Sequence, residues 1–235
     1  MKQIAKLFLP LLISNLSLEA SQQLIVIISE DFNSSQAQMH LYEKEQKQFF
    51  TLGESTLVNI GRNGLGWGIG LSGLYPKEGE PHKKEGDGKA PAGIFKITKA
   101  FGYANKLNTK MPYIQADKQL ICVDDIRSKE YNKILELNPN NRPKSFEWMH
   151  RQDDLYKIGL VIEHNREAKR GAGSCIFFHI QRSENSSTAG CSAMREEVLS
   201  TVIQWLDPKK RPLLLQIPKS HCSEAQEIFK GIQCP

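Results

Sequence analysis

Residues Gly173 to Asp207 read GSCIFFHIQRSENSSTAGCSAMREEVLSTVIQWLD. The run Cys175 to Ile180 has the length and aromatic content of a buried strand, with Cys175, Phe177 and His179 on one face and His179 near its end. A polar, turn-rich loop follows over Ser183 to Thr188, then Ala189-Gly190-Cys191. Beyond it Met194, Val198, Leu199, Val202, Ile203 and Leu206 recur at helical spacing. The pattern predicts a helix with Ser192 as N-cap and Glu196 and Glu197 at its positive end, which sets Cys191 just before that helix.

A thiol becomes a nucleophile when its thiolate is stabilised and a partner takes the proton. A free thiol titrates near ~8.5, and a helix N-terminus or a neighbouring imidazole lowers that value. One reading therefore makes Cys191 a nucleophile with His179 as base, and the N–H groups around Gly190 and Cys191 an oxyanion hole. The other makes Cys191 a buried, inert structural cysteine, and spacing alone leaves both open.

A strand ending in His, a loop, and then Ser/Thr-x-Gly-Cys resembles the active-site signature of the L,D-transpeptidase (YkuD-type) catalytic domain. KKEGDGKAPAGIFKI (83–97) is similar to that family's GDGK segment, and GRNGLGWGIGL (61–71), CVDD (122–125), YN (131–132) and VIEHN (161–165) resemble one branch of it. The resemblance spans roughly Leu24 to Pro218. It implies a mainly β fold with some α, a YkuD-like β-sandwich with one or two packed helices. It also implies acyl transfer on peptidoglycan stem peptides in the bacterial envelope; no cofactor is expected, and with no CxxC pair or HExxH segment no metal site is expected either. Cys191 matches the family's nucleophile, His179 its general base, Gly190 the glycine before the nucleophile and Thr188 the Ser/Thr that opens the motif. Two positions depart: Ala189 stands where most of the family has His, and Ala193 where most has an Arg thought to hold substrate. The implied outcome is transpeptidation through a thioester on Cys191. Hydrolysis of the same bond (L,D-carboxypeptidase), a wall-binding module without turnover and a general thiol peptidase are the alternatives.

Outside the motif, three residues join Thr188 as candidate substrate contacts. Lys89 could meet a substrate carboxylate or be an exposed turn lysine. Asp124 could touch substrate or cap a helix over 126–137; its neighbour Asp125 would point to the opposite face of a strand, so the two cannot act as a pair. His164 could bind substrate, orient His179 or be a hydrogen-bonded structural histidine.

Length and composition favour one globular domain: 235 residues, 40% hydrophobic, 24% charged, net charge +5. The basic residues are dispersed, and Lys83-Lys84 and Lys209-Lys210-Arg211 read as solvated turns, so neither nucleic acid nor nucleotide is expected as a partner. Gly68 to Gly73 matches GxGxxG, but Tyr75-Pro76 follows where a dinucleotide site needs a helix. Lys2 and Lys6 followed by a short, interrupted apolar stretch to Leu18 resemble a secretory signal, with cleavage after Ala20 or an uncleaved anchor. The expected layout is a signal over 1–20, a catalytic domain over 21–220 and a tail over 221–235, in a periplasmic or secreted protein with no stable membrane span. The five cysteines, an odd number, leave at least one thiol free if the rest pair. Cys191 is the natural odd one, Cys222 with Cys234 would staple the tail, Cys122 with Cys175 is a further possible pair, and no pairing at all is the alternative.

Strands are expected at Leu24–Ser29, Met39–Tyr42, Phe49–Leu52, Leu57–Ile60, Ile94–Ile97, Ile158–Glu163 and Leu213–Ile217. Residues 101–151, poorer in apolar residues, read as an insertion around the groove with a short helix near Tyr131 to Leu137.

Overall fold

The structure is a computed structural model that describes residue 18 and residues 20–234. The segment read as an export signal lies, apart from Leu18 and Ala20, outside the described residues.

The strands are β1 (Gln23–Ser29), β2 (Gln36–Glu45), β3 (Gln48–Asn59), β4 (Leu65–Trp67), β5 (Ala90–Gly102), β6 (Tyr113–Gln115), β7 (Leu120–Cys122), β8 (Ile134–Glu136), β9 (Glu147–Trp148), β10 (Ile158–Ile162), β11 (Phe177–Ile180), β12 (Ser192–Met194) and β13 (Leu213–Pro218). The two longer helices among the described residues are α1 (Glu196–Trp205) and α2 (Cys222–Ile228). The expectation of a mainly β protein holds, but the expected sandwich does not. The strand order β10-β11-β12-β3-β2-β1-β13-β5 returns on itself because β5 also pairs with β10, so eight strands close a barrel. Closure follows from the length of β5. Its first half pairs with β13 and its second half with β10, so one strand bridges two neighbours that a sandwich would leave as edges.

LIVIIS in β1 and LLLQIP in β13 pair in parallel and are buried along their whole length. Uninterrupted apolar runs are what strands covered on both faces require. The two segments expected over Phe49–Leu52 and Leu57–Ile60 belong mainly to one long strand, β3, paired with β2 through a bulge. Leu199, Val202 and Ile203 of α1 enter the main core. The tail is not peripheral: Cys222, Ala225, Phe229 and Ile232 join the same core, and Phe229 packs edge-on to Phe49 at 5.9 Å. No helix forms over 131–137; Ile134–Glu136 is strand β8, drawn into a separate three-stranded sheet in the order β8-β7-β9. This insertion packs through Leu120, Cys122 and Met149 on a second core cluster that holds Cys175, Phe177 and Cys191.

Gly159 of β10 stands at the closure, paired with Phe101 of β5 on one side and His179 of β11 on the other. A Cβ there would lie 2.2 Å from the Phe101 ring and 2.7 Å from the Phe178 carbonyl oxygen. Gly159→Ala is expected to cost about 1–3 kcal/mol by overpacking, measured as a lower urea midpoint with an unchanged slope.

Candidate active site

Strands β11 and β12 run parallel with Phe178 opposite Ser192, His179 opposite Ala193 and Ile180 opposite Met194. Cys191, one residue before β12, comes level with Phe177, whose N–H donates to its Sγ at 3.4 Å, while the thiol donates to the Cys175 carbonyl at 3.5 Å. Residues two apart on a strand share a face, so Cys191 and Ala193 point the same way as His179. All three line one cavity of about 660 Å³. Ala193 occupies the place directly beside the imidazole.

The expected helix mouth at Cys191 is displaced. Pairing with β11 draws residues 192–194 into a strand, and α1 starts only at Glu196, with Arg195 as an N-cap that makes no side-chain cap bond. Ser192 is no cap; its hydroxyl donates to Gln216 Oε1 at 2.7 Å. The helix field falls off within its first turn, so it gives the sulfur little.

His179 is buried, and its Nδ1 sits 2.8 Å from the Ile180 carbonyl oxygen, which can only accept. Nδ1 therefore carries the proton and Nε2 is left as the basic nitrogen. Burial holds His179 down at about 4. Burial first, and then the nearby Glu147 carboxyl, push the Cys191 thiol up to about 12, against the Phe177 N–H, Lys83 and the Tyr156 hydroxyl, which favour the thiolate. At neutral pH the resting pair is thus thiol and neutral imidazole, not thiolate and imidazolium. For this thiol to act as a nucleophile, proton transfer would have to accompany the attack.

Thr188 lines the cavity, but its hydroxyl is already used. It donates to the Cys191 carbonyl at 2.6 Å and accepts from Gly190 N–H at 3.1 Å. Thr188 shapes the Gly-Cys turn and has no proton left for substrate. Gly190 has φ 154°, and a Cβ there would come 3.0 Å from the Lys89 carbonyl oxygen, which explains the glycine. With the Gly190 amide committed to Thr188, the Cys191 amide, which has no acceptor among the described residues, is the backbone donor left for an oxyanion.

Two expected contacts are absent from the cavity lining. His164 uses both ring nitrogens behind the site: Nε2–H donates to the Ala172 carbonyl at 2.9 Å and Nδ1 accepts from Ile69 N–H at 3.2 Å. It is a structural histidine and does not orient His179. Lys89 reaches away to the Asn63 carbonyl at 2.6 Å. The lysine that does face the cavity is Lys83, read from sequence as a solvated turn. It is buried because Asp87 takes its ammonium at 2.6 Å and also accepts the N–H groups of Lys84 and Lys89. Asp124 lines the cavity, with Oδ1 buried and unpartnered, and caps no helix.

Other motif residues hold the frame behind Cys191. Asn132, at φ 61°, ties the His164 and Asn165 carbonyls to the N–H of Cys175, itself left-handed at φ 55°. Cys175 is disulfide-bonded to Cys122 and Cys222 to Cys234, so Cys191 is the one free thiol of the five. Sequence reading missed Tyr156, Glu147, Arg151 and Arg182. Tyr156 donates to Glu147 Oε2 at 2.7 Å and lies 5.3 Å from the His179 ring. Nothing in the local pattern marks these residues; the insertion carries Glu147 and Arg151 to the cavity, Tyr156 comes from the segment before β10 and Arg182 from the loop after β11.

No known family matches the sequence, and no curated protein does either. Among solved structures, the helical cell shape determining protein Pgp2 from Campylobacter jejuni is similar at a TM-score of 0.39 and 12% identity, over 86% of this chain and 54% of that one. The chain thus spans about half the length of that protein, and a likeness this loose carries no argument about activity.

Two outcomes follow from the electrostatics. Alkylation of Cys191 by iodoacetamide should rise about tenfold per pH unit from 6 to 10 without a plateau, because the thiolate fraction is still growing there. The folded values of His179 and His164, both about 4, lie below the unfolded ~6.5, so the unfolded chain protonates first and stability falls as pH drops from 6.5 to 4. Each histidine should contribute on the order of 3 kcal/mol to that loss, and His164→Gln should flatten the dependence in urea titrations.

Proposed function

We propose that the protein is a cysteine acyltransferase of the cell envelope acting on peptidoglycan stem peptides. The supporting observation is the register of β11 and β12, which sets the one free thiol and an imidazole with a free Nε2 on the same face of one cavity. Cys191 Sγ attacks the carbonyl on the L-centre side of an L,D peptide bond while its proton passes to His179 Nε2. The Cys191 amide stabilises the oxyanion, and Tyr156, whose hydroxyl is committed to Glu147, packs beside the His179 ring at 5.3 Å. Collapse breaks the C–N bond, His179 returns the proton to the departing amine, and a thioester remains on Cys191. An amine captures it in transpeptidation, or water in carboxypeptidation. The envelope location and the stem-peptide substrate rest on the export-like N-terminus and on the motif resemblance.

Incubation with a tetrapeptide muropeptide should give a mass increase confined to Cys191. Cys191→Ala should abolish it, and His179→Gln should slow it about 10²- to 10⁴-fold. If folded wild-type protein carries no adduct and releases no D-amino acid while still binding muropeptide, the wall-binding reading replaces this one.

A further inference from the structure

Lys83 is built into the wall beside the Gly-Cys turn. It is 6% exposed, and its backbone N–H is fixed on the Trp67 carbonyl at 2.9 Å. The stem runs between two glycines. A Cβ at Gly173 would lie 3.0 Å from Lys83 Cγ and 3.1 Å from Cε, and one at Gly190 would lie 3.8 Å from Cε and 3.7 Å from Nζ. The ammonium thus stands against Gly190, the residue before the free thiol, and lines the same cavity as Cys191. An ammonium carries three N–H donors. Lys83 gives one to the Lys84 carbonyl at 2.7 Å and one to Asp87 Oδ1 at 2.6 Å, and the third has no acceptor among the described residues. Balancing Asp87 does not by itself call for this placement, since an exposed lysine on the same turn would do so without the cost of burying a charge.

We propose that Lys83 is a catalytic residue whose spare N–H donates to the oxyanion alongside the Cys191 amide. The inference rests on the acyl-transfer reading and deepens it by naming a further residue of that site. Attack by Sγ leaves the former carbonyl oxygen next to the N–H of the Gly190–Cys191 peptide, which is the side on which the ammonium stands. The Gly190 N–H is committed to Thr188, so the turn itself supplies one donor and the lysine supplies the second. No net positive charge is required. Glu85, Asp124 and Glu147 line the cavity together with Lys83, Arg151 and Arg182, and the bond is made to charge that develops only in the transition state.

The test uses wild type, Lys83→Met, which keeps the stem and drops the donors, and the double variant Lys83→Met/Asp87→Asn, which also removes the carboxylate left without its cation. Urea titration checks that each is folded. On a tetrapeptide muropeptide both variants should lose about 10²- to 10³-fold in kcat, with KM within about threefold of wild type. The second measurement compares a tripeptide aldehyde, whose reversible hemithioacetal with Cys191 puts an oxygen in the oxyanion position, with the matching alcohol. Wild type should bind the aldehyde tighter by about tenfold or more, the variants should lose most of that margin, and all three proteins should bind the alcohol alike. Turnover by wild type with an unchanged kcat in Lys83→Met overturns the assignment and leaves the acyltransferase. Recovery of the wild-type kcat in the double variant overturns it too, because the lysine then serves Asp87 alone. A wild type that neither turns over the peptide nor forms the adduct removes the acyltransferase and the oxyanion role together.

Discussion

The site depends on the parallel pairing of β11 with β12. Parallel neighbours cannot be joined by a tight hairpin, so the chain between Gln181 and Cys191 has to leave the sheet and come back. It returns over the cavity, where Arg182, Ser186, Thr188 and Gly190 form part of the wall. Bonds of Thr188 to Ile60 and Arg62 and the bridge from Gly61 to Thr188 fasten the loop to the segment that follows β3, the neighbour of β12. One topological requirement thus sets the register of Cys191 against Phe177 and supplies one side of the cleft.

Burial of that pair decides its chemistry. Desolvation raises the thiol and lowers the imidazole, so both stay uncharged at rest, and the thiol spends its proton on the Cys175 carbonyl. A neutral pair of this kind is protected from adventitious electrophiles.

The second sheet is the other half of the cleft. It has little core of its own, and the disulfide between Cys122 of β7 and Cys175 at the entrance to β11 joins it to the barrel at the residue that accepts the thiol proton. Glu147 on β9, Asp124 just after β7 and Arg151 just after β9 are thereby carried to the cavity. Asn132 reinforces the same junction from behind. CVDD, YN and HN are in this light mostly the clamp between insertion and barrel, with Asp124 the member that reaches the cleft.

The sequence by itself determined the mainly β character, most of the barrel strands, and the pairing of a strand-borne histidine with a cysteine after Gly190. Those are local facts, written in apolar runs, alternation and turn residues. It could not determine whether the sheet closes, because closure depends on β5 being long enough to pair with β13 and then β10, partners far away in sequence. The helix expected at Cys191 gave way to a strand for the same reason: β11 offered Ser192–Met194 a ladder that outweighed local helical spacing. Tertiary structure alone placed Lys83 inside and Lys89 outside, occupied both nitrogens of His164, and gathered Tyr156, Glu147, Arg151 and Arg182 around the cavity that holds the sulfur. A side chain's partners and its loss of solvent are set by what folds over it, and that is a long-range property no window of sequence contains.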